Sequence, residues 1–418
     1  MKAESLTAWT FRRNAAILLS LSAAYLLVTD WIIEPWSTCI AFAMIFGITA
    51  AIAIRALWTD FDLHTSWLLV PLGAVALWGP AQLALRLPEY RFETWWSTLT
   101  WAAALACFWS ALQVFSPLRL SNGFRIAVVI FGALVALEAV LQLFSGDVKI
   151  YGLVDLSDDS LPMGPFRNRD HFCSLIELIL PLVLWTGIRN RRGAWIYFTA
   201  AGIMYASVIA SASRAGAVIA TLEVIALLTV GMVRKRTGVD APATRLAVAI
   251  AILVAIGGGV VGFGPVLDRL FVKDPFGGRR EFLVATLRMI HDRPWFGLGL
   301  GSWPWVYPRY AFYDPVAHAN HAHNDWVEWA ANGGILFAAL LALVAVRACW
   351  LSLELPWGLG TVAVFAHATV DFPFARPPLL LAVLLMLAVM ELDYARRLRG
   401  RDPEILGAKK TALAHFHL

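Results

Sequence analysis

The chain has 418 residues, of which 59% are hydrophobic and only 15% are charged, and its formal net charge is +5 at pH 7. This balance is far from that of a soluble globular domain, so the composition predicts an integral membrane protein. The small positive charge is explained by Lys and Arg in cytoplasmic loops, and it implies no nucleic-acid partner.

Twelve apolar stretches follow one another along the chain, each about 20 residues long, which is the length an α-helix needs to cross a bilayer. Strand alternation is absent, so the spans are expected to be helices whose backbone groups are satisfied within each segment. The predicted fold is all-α, with residues 1–418 forming a single polytopic membrane domain. The predicted spans are 14–34, 38–58, 66–87, 95–115, 124–145, 171–188, 194–212, 214–233, 245–265, 323–346, 349–370 and 376–395.

Basic residues cluster in alternate loops between these spans, which fixes the expected orientation. If every span crosses, these loops share one side, so both termini are predicted to be cytoplasmic and the number of spans even. The first span lacks a small-residue cleavage site and is interpreted as an anchor. The four cysteines show no paired spacing, which predicts neither a disulfide framework nor a zinc site. The clusters include Arg12 and Arg13, Arg119 and Arg125, Arg189 to Arg192, Arg234 to Arg236, and Arg396 to Arg401.

Two longer segments are predicted on the outer, periplasmic side: a short one over 146–170 and a large loop over 266–322. A connection as long as the second is usually functional. Both segments are rich in arginine despite the positive-inside bias. An anionic ligand is the natural partner for so much positive charge.

Three arginines in and beside these segments are candidate anion ligands. Arg214 in "SASRAG" lies at an outer turn, where it either snorkels to water or binds a phosphate oxygen with its planar fork. Arg279 and Arg280 follow paired glycines at the predicted start of a helix, whose free N–H groups and positive dipole end favour anions. A solvated charged face is the alternative, above all for Arg280.

The stretch "GPFRNRDHF" brings more polar groups to the start of the sixth span. Asn168 and Asp170 are suited to capping that helix. Arg167 and Arg169 are candidate donors to a sugar or a phosphate.

Histidines and carboxylates gather near the start of the tenth span and at the end of the eleventh. His318, His321, His323 and Asp325 have spacings that only weakly suggest a metal site. His323, followed by Asn324 and Asp325, is better interpreted as an oriented general base, whereas structural roles are favoured for His318 and His321. The spacing of four between His367 and Asp371 places them on one helical face, where they orient each other or a substrate.

The stretch "HNDWVEWAANGGILF" resembles the signature of the O-antigen ligase and O-antigen polymerase superfamily, which is His-Asn, nine residues, Gly, two residues, then a small residue or Tyr. His323, Asn324 and Gly334 match it, while Phe337 departs at the last position. Further resemblances follow in the family's order: "GPFRNRDHF" with Asp170 in place of Asn, "SASRAG" with Ala215 in place of Gly, "GGRREFLVATL", "RPWFGLGLGSW" and "HATVDFPF".

The resemblance implies a metal-independent, inverting glycosyltransferase of the GT-C type, with no cofactor, about twelve transmembrane helices and one large periplasmic loop. Its donor would be a glycan on undecaprenyl pyrophosphate, used at the outer face of the bacterial inner membrane. Arg214 and Arg279 would hold the pyrophosphate while His323 acts as general base. The supporting residues would be Asn324, Asp325, Arg167, Arg169, Arg280, His321, His367 and Asp371.

The acceptor is left open by these motifs. A ligase would use the lipid A core, and this reading is favoured narrowly; an O-antigen or exopolysaccharide polymerase would use another lipid-linked repeat unit. A protein-glycosylating relative is a further alternative. A transporter of a lipid-linked anion is disfavoured because the polar groups crowd one face and no internal repeat is evident.

Overall fold

The structure is a computed structural model that describes residues 6–145, 149–156, 162–190, 193–235, 278–312 and 319–401. Within these ranges the chain is helical and contains no strand. Two isolated bridges, between Ile150 and Val154 and between Met163 and Phe166, are the nearest approach to one. The helices are α1 Leu6–Val28, α2 Pro35–Trp58, α3 Leu69–Ala84, α4 Arg91–Val114, α5 Leu118–Ser145, α6 Arg169–Arg189, α7 Ala194–Ala210, α8 Arg214–Lys235, α9 Arg279–Asp292, α10 Trp303–Val306, α11 Asp325–Glu354, α12 Leu359–His367 and α13 Pro377–Arg401.

Eight of these helices are long and apolar enough to cross a membrane: α1, α2, α4, α5, α6, α8, α11 and α13. Two more, α3 and α7, are apolar but shorter, with 16 and 17 residues. The prediction of an all-helical, multi-pass membrane protein is therefore confirmed. The predicted span at 245–265 lies outside the described residues.

The first two of the three predicted spans after residue 322 have different boundaries in the structure. One helix, α11, runs for 30 residues to Glu354, and the next, α12, has only nine. Pro356 and a 3₁₀ turn separate them, because proline lacks the N–H that would continue a helix. The apolar sequence is continuous across this point, so composition alone placed the boundary too early.

Helix α6 lies at the centre of the fold. Nearly all of its residues are buried, and it packs against α7, α8 and α12. Its first residue, Arg169, lies at the end of the fold that carries the candidate site. Its last, Arg189, lies at the opposite end, beside Arg125 and Arg397. Because neighbouring helices enclose α6, the site residues at its start are held in a fixed position.

Helix α11 is broken near its start. Gly334 has φ of +82° and ψ of 170°, so the backbone there is not helical. An added Cβ would lie 2.1 Å from the carbonyl oxygen of Trp295, which explains why only glycine fits. The loop before α10 restores the lost hydrogen bonds: Leu298 N donates to Ala331 O over 2.9 Å, and Ile335 N donates to Pro294 O over 2.7 Å.

The side chain of Gln82 in α3 forms hydrogen bonds with the backbone on both sides of this break. Its Nε2 donates to the carbonyl oxygens of Phe296 and Asn332, over 2.6 and 2.9 Å, and its Oε1 accepts from Leu300 N over 3.0 Å. Irregular backbone among membrane helices is tolerated where other protein groups satisfy its hydrogen bonds, and the Gln82 side chain does so here. The first turns of α11 are therefore held against the loop.

Candidate active site

A histidine and a buried carboxylate form the centre of the site. His323 precedes α11 with φ of +52°, an uncommon value for a residue other than glycine. This backbone turn brings its Nδ1 to 3.0 Å from Asp371 Oδ1. The His323 side chain keeps 30% of its surface exposed, whereas that of Asp371 keeps 1%. The imidazole therefore has one buried, partnered edge and remains open to solvent.

Asp371 is surrounded by positively charged or chargeable groups. Its Oδ2 lies 3.7 Å from His171 Nε2, and its Oδ1 lies 3.9 Å from Arg279 Nη2. Burial alone would raise the pKa of Asp371, but the hydrogen bond to His323 and the charges of His171 and His367 outweigh it and lower the pKa to about 2. Asp371 is therefore a carboxylate at neutral pH.

Arg279 connects this centre to a second cluster. It is the first residue of α9, as the sequence predicted, and the same helix buries Ala285 and Met289. Its Nη1 donates to Val370 O over 2.8 Å, and its Nη2 lies 3.6 Å from Asp170 Oδ2. The guanidinium is thus fixed between two carboxylates, with about a third of the side chain still exposed.

Arg214 lines the same cavity as Arg279. The cavity has a volume of about 270 Å³ and also contains Arg169, Asp170 and His367 in its walls. Arg214 begins α8, where Ser213 Oγ accepts from Gly216 N over 3.0 Å. No hydrogen bond or ion pair joins the Arg214 side chain to another residue in the described part of the chain. Three arginines against one aspartate make this cavity suited to an anion.

His321 belongs to a different pair. Its Nδ1 lies 3.0 Å from Glu328 Oε1, and the other carboxylate oxygen of Glu328 accepts from Ala322 N over 2.8 Å. The His321 ring stacks on Phe372 with 4.4 Å between centroids. Phe372 also meets the rings of His171 and His323 edge to face. One phenyl ring therefore separates three imidazoles.

His367 and Asp371 do not pair through their side chains. Helix α12 ends at His367, and Asp371 N donates to His367 O over 3.0 Å, closing a turn. The His367 imidazole instead contacts Glu177, with Nδ1 to Oε2 at 2.9 Å, and Ser174 Oγ at 3.2 Å. Glu177, a fully buried carboxylate inside α6, was not among the predicted residues. A charged residue within an apolar span was the signal that pointed to it.

The remaining predicted residues are divided between structural and peripheral positions. Asn324 caps α11 by accepting from Val327 N over 3.2 Å, and Asp325 accepts from Phe374 N over 2.8 Å. Arg167 donates to Trp31 O over 3.5 Å, away from the arginine cavity. Arg280 is exposed and does not line that cavity. His318 lies outside the described residues.

No group of three His, Cys, Asp or Glu side chains is placed to hold a metal ion in the described ranges. The chemistry available here is that of an imidazole on a buried carboxylate, beside an arginine-lined cavity. Such groups accept a proton and stabilise an anion.

These features define a class: a multi-pass helical membrane protein whose polar site lies where several helices begin and end. Residues 178–344 match the family model described as O-antigen ligase. This match confirms the resemblance to the O-antigen ligase superfamily that the motifs predicted. Members of this family are glycosyltransferase-like enzymes that act on lipid-linked glycans. A search of curated proteins found no match.

The matched segment contains Arg214, Arg279 and His323, while His367 and Asp371 lie beyond its end. The carboxylate that pairs with His323 therefore comes from a part of the chain that the family match does not include.

Proposed function

We propose that this protein transfers a glycan from undecaprenyl pyrophosphate to an acceptor hydroxyl at the periplasmic face of the bacterial inner membrane. The transfer is metal-independent and inverts the anomeric centre. The acceptor is the lipid A core, which makes the protein a ligase. In this proposal the chain has about twelve spans in a GT-C arrangement, cytoplasmic termini, and outer segments over 146–170 and 266–322.

The observation that carries the proposal is the hydrogen bond between His323 and Asp371. An ionised carboxylate only accepts hydrogen bonds, so Nδ1 of His323 holds the proton and Nε2 presents a lone pair. Because the His323 side chain is partly exposed, that lone pair can reach a substrate hydroxyl. A positioned base of this kind contributes typically ~10²–10⁴-fold to the rate.

The arginine cavity would stabilise the pyrophosphate leaving group. Pyrophosphate on an allylic lipid is a good leaving group, and charge stabilisation helps it more than protonation does. Arg214 and Arg279 face one cavity from the starts of two helices, where the helix dipoles add positive potential. Asp371 contacts both His323 and Arg279, so the base and the anion site are held in one network.

The place of the cluster in the fold suits a lipid-linked donor. Its residues come from the starts of α6, α8, α9 and α11 and the end of α12, which meet at one end of the helices. A prenyl chain in the bilayer would place its pyrophosphate at this level. Both substrates are lipid-anchored, so the site must open towards the bilayer as well as towards water.

The test is complementation of a strain that lacks the protein, with wild type, with His323→Ala, and with His291→Ala as a matched control. His291 is an exposed histidine at the end of α9. We expect His291→Ala to restore the glycan and His323→Ala to leave lipid-linked polymer accumulated. Restoration by His323→Ala would overturn the assignment of the base and reopen the transporter alternative.

The glycan products of these strains show which acceptor the protein uses. Loss of all O-chain from lipid A core identifies a ligase. A core with one repeat, or lost exopolysaccharide with normal core, identifies a polymerase. Arg279→Ala, compared with Arg280→Ala on the next position of α9, tests the anion site, and only the first is expected to abolish transfer.

A further inference from the structure

A second and larger cavity lies on the other side of the 167–171 turn. Its volume is about 700 Å³, within the range of about 300–1,000 Å³ typical of small-molecule sites. Helices α1, α2, α4, α11 and α13 supply its walls. His323, Arg214 and Arg279 do not line this cavity, so the proposed catalytic and pyrophosphate-binding roles do not account for it.

The turn divides the two cavities residue by residue. Arg169 and Asp170 line the arginine cavity, whereas Arg167, Asn168 and His171 line the larger one. His171 in turn faces Asp371, at 3.7 Å. The His323 and Asp371 pair is therefore in contact with residues of both cavities.

The walls of the larger cavity combine aromatic rings with polar side chains. Trp96, Trp305 and Trp329 contribute rings, and Trp305 keeps 46% of its surface exposed. His321 and Glu328 line the cavity as well, and so do Ser97 and Thr100, which carry hydroxyls. Sugars present C–H faces that pack on aromatic rings and hydroxyls that bond to such polar groups.

Asn332 provides an independent sign of a ligand. Asn332 lines the cavity and exposes only 6% of its surface. Its buried Oδ1 accepts no hydrogen bond from any donor in the described part of the chain. An unpaired buried amide oxygen is costly, and a hydroxyl donor would remove that cost.

We propose that this cavity binds the saccharide that carries the acceptor hydroxyl. The direction of attack rests on the proposed function: inversion requires the nucleophile and the leaving group on opposite sides of the anomeric carbon. With the pyrophosphate in the arginine cavity, the acceptor enters from the larger one. The acceptor oxygen then bonds to the anomeric carbon, the bond to pyrophosphate breaks, and the hydroxyl proton goes to His323 Nε2.

The experiment measures binding without catalysis, using the full chain in nanodiscs and saturation-transfer NMR. The saccharide probes are two oligosaccharides from the organism that carries this chain: the core released from its lipopolysaccharide, and its glycan repeat unit. Inorganic pyrophosphate probes the arginine cavity. The variants are Trp305→Ala, Trp305→Phe and Arg214→Ala. Trp295→Ala is the matched control, since Trp295 is an exposed tryptophan of the same segment that does not line the cavity.

We expect Trp305→Ala to weaken saccharide binding about twofold to tenfold, the range expected for one aromatic contact, and to leave pyrophosphate binding unchanged. Trp305→Phe should recover part of the loss, and Arg214→Ala should show the opposite pattern. Trp295→Ala should bind both probes as wild type does.

The proposal is overturned if neither oligosaccharide binds, if Trp305→Ala binds as wild type does, or if a prenyl phosphate without sugar displaces the saccharide. The last outcome would identify a lipid site. If saccharide binding depends on Trp305 but pyrophosphate binding does not depend on Arg214, the saccharide site stands and the proposed donor site fails.

Discussion

Replacing Asp371 by Asn tests the central pair most directly. The two side chains have nearly the same shape, so the cavity walls are preserved. The amide, however, carries an NH₂ group that can donate to His323 Nδ1. That would move the imidazole proton to Nε2, the atom that must accept the acceptor proton.

The expected loss is given to an order of magnitude by the role of the carboxylate and of the base. The surroundings of Asp371 lower its pKa from 3.8 to about 2, which corresponds to about 2 kcal/mol of preference for the carboxylate. Part of that preference is lost from the transition state, in which the carboxylate stabilises the imidazolium that His323 becomes. Reversal of the tautomer removes the contribution of the base as well, so we expect a total loss of ~10²–10⁴-fold.

The assay uses purified full chain in nanodiscs with lipid-linked glycan donor and acceptor, and it follows product on a gel under single-turnover conditions. Binding of inorganic pyrophosphate should be little changed, because Arg279 keeps its bond to Val370 O. Asp292→Asn is the matched control, since Asp292 is an exposed aspartate at the end of α9. If Asp371→Asn retained more than a tenth of the wild-type single-turnover rate, orientation of His323 by this carboxylate would be refuted.

Three further predictions concern binding, pH and backbone. Arg214→Lys should lose transfer and pyrophosphate binding nearly as fully as Arg214→Ala, since an ammonium cannot bind bidentately; a fully active Lys variant would contradict this. The lowered pKa of Asp371 means that its carboxylate stabilises the fold at any pH above the unfolded-state pKa near 4. This stabilisation is lost only as the pH falls through the folded-state pKa of about 2. The Tm difference between wild type and Asp371→Asn should therefore stay constant from pH 5 to 8. A difference that shrinks within that window would point to another titrating group. Gly334→Ala should cost about 1–3 kcal/mol in strain and lower the Tm, whereas Gly73→Ala, with no atom within 4 Å of its added Cβ, should be neutral or slightly stabilising. Equal Tm values for the two glycine variants would argue against the break in α11.

Local patterns predicted the helices well, because an apolar run of 20 residues in this composition has few other solutions. They also predicted that α9 begins at Arg279, where glycines end and apolar spacing begins. The boundary between α11 and α12 was missed because Pro356 lies inside a continuous apolar stretch.

Long-range pairs were harder to predict. Helical spacing suggested that Asp371 would face His367, but α12 ends at His367, and Asp371 turns towards a residue 48 positions earlier. Nothing in the order of residues links His321 to Glu328 rather than to a metal. The partner of His367, Glu177, lies 190 positions before it on another helix. These pairings depend on how helices pack, which one sequence does not specify.

The break at Gly334 separates the geometry of the site from the thickness of the bilayer. A helix that spans a thicker or thinner membrane tilts or shifts to match it. In α11, that adjustment falls on the residues after Gly334, because those before it are bonded to the 294–300 loop and to Gln82. His323 can therefore keep its distance from Asp371 while the membrane around it changes.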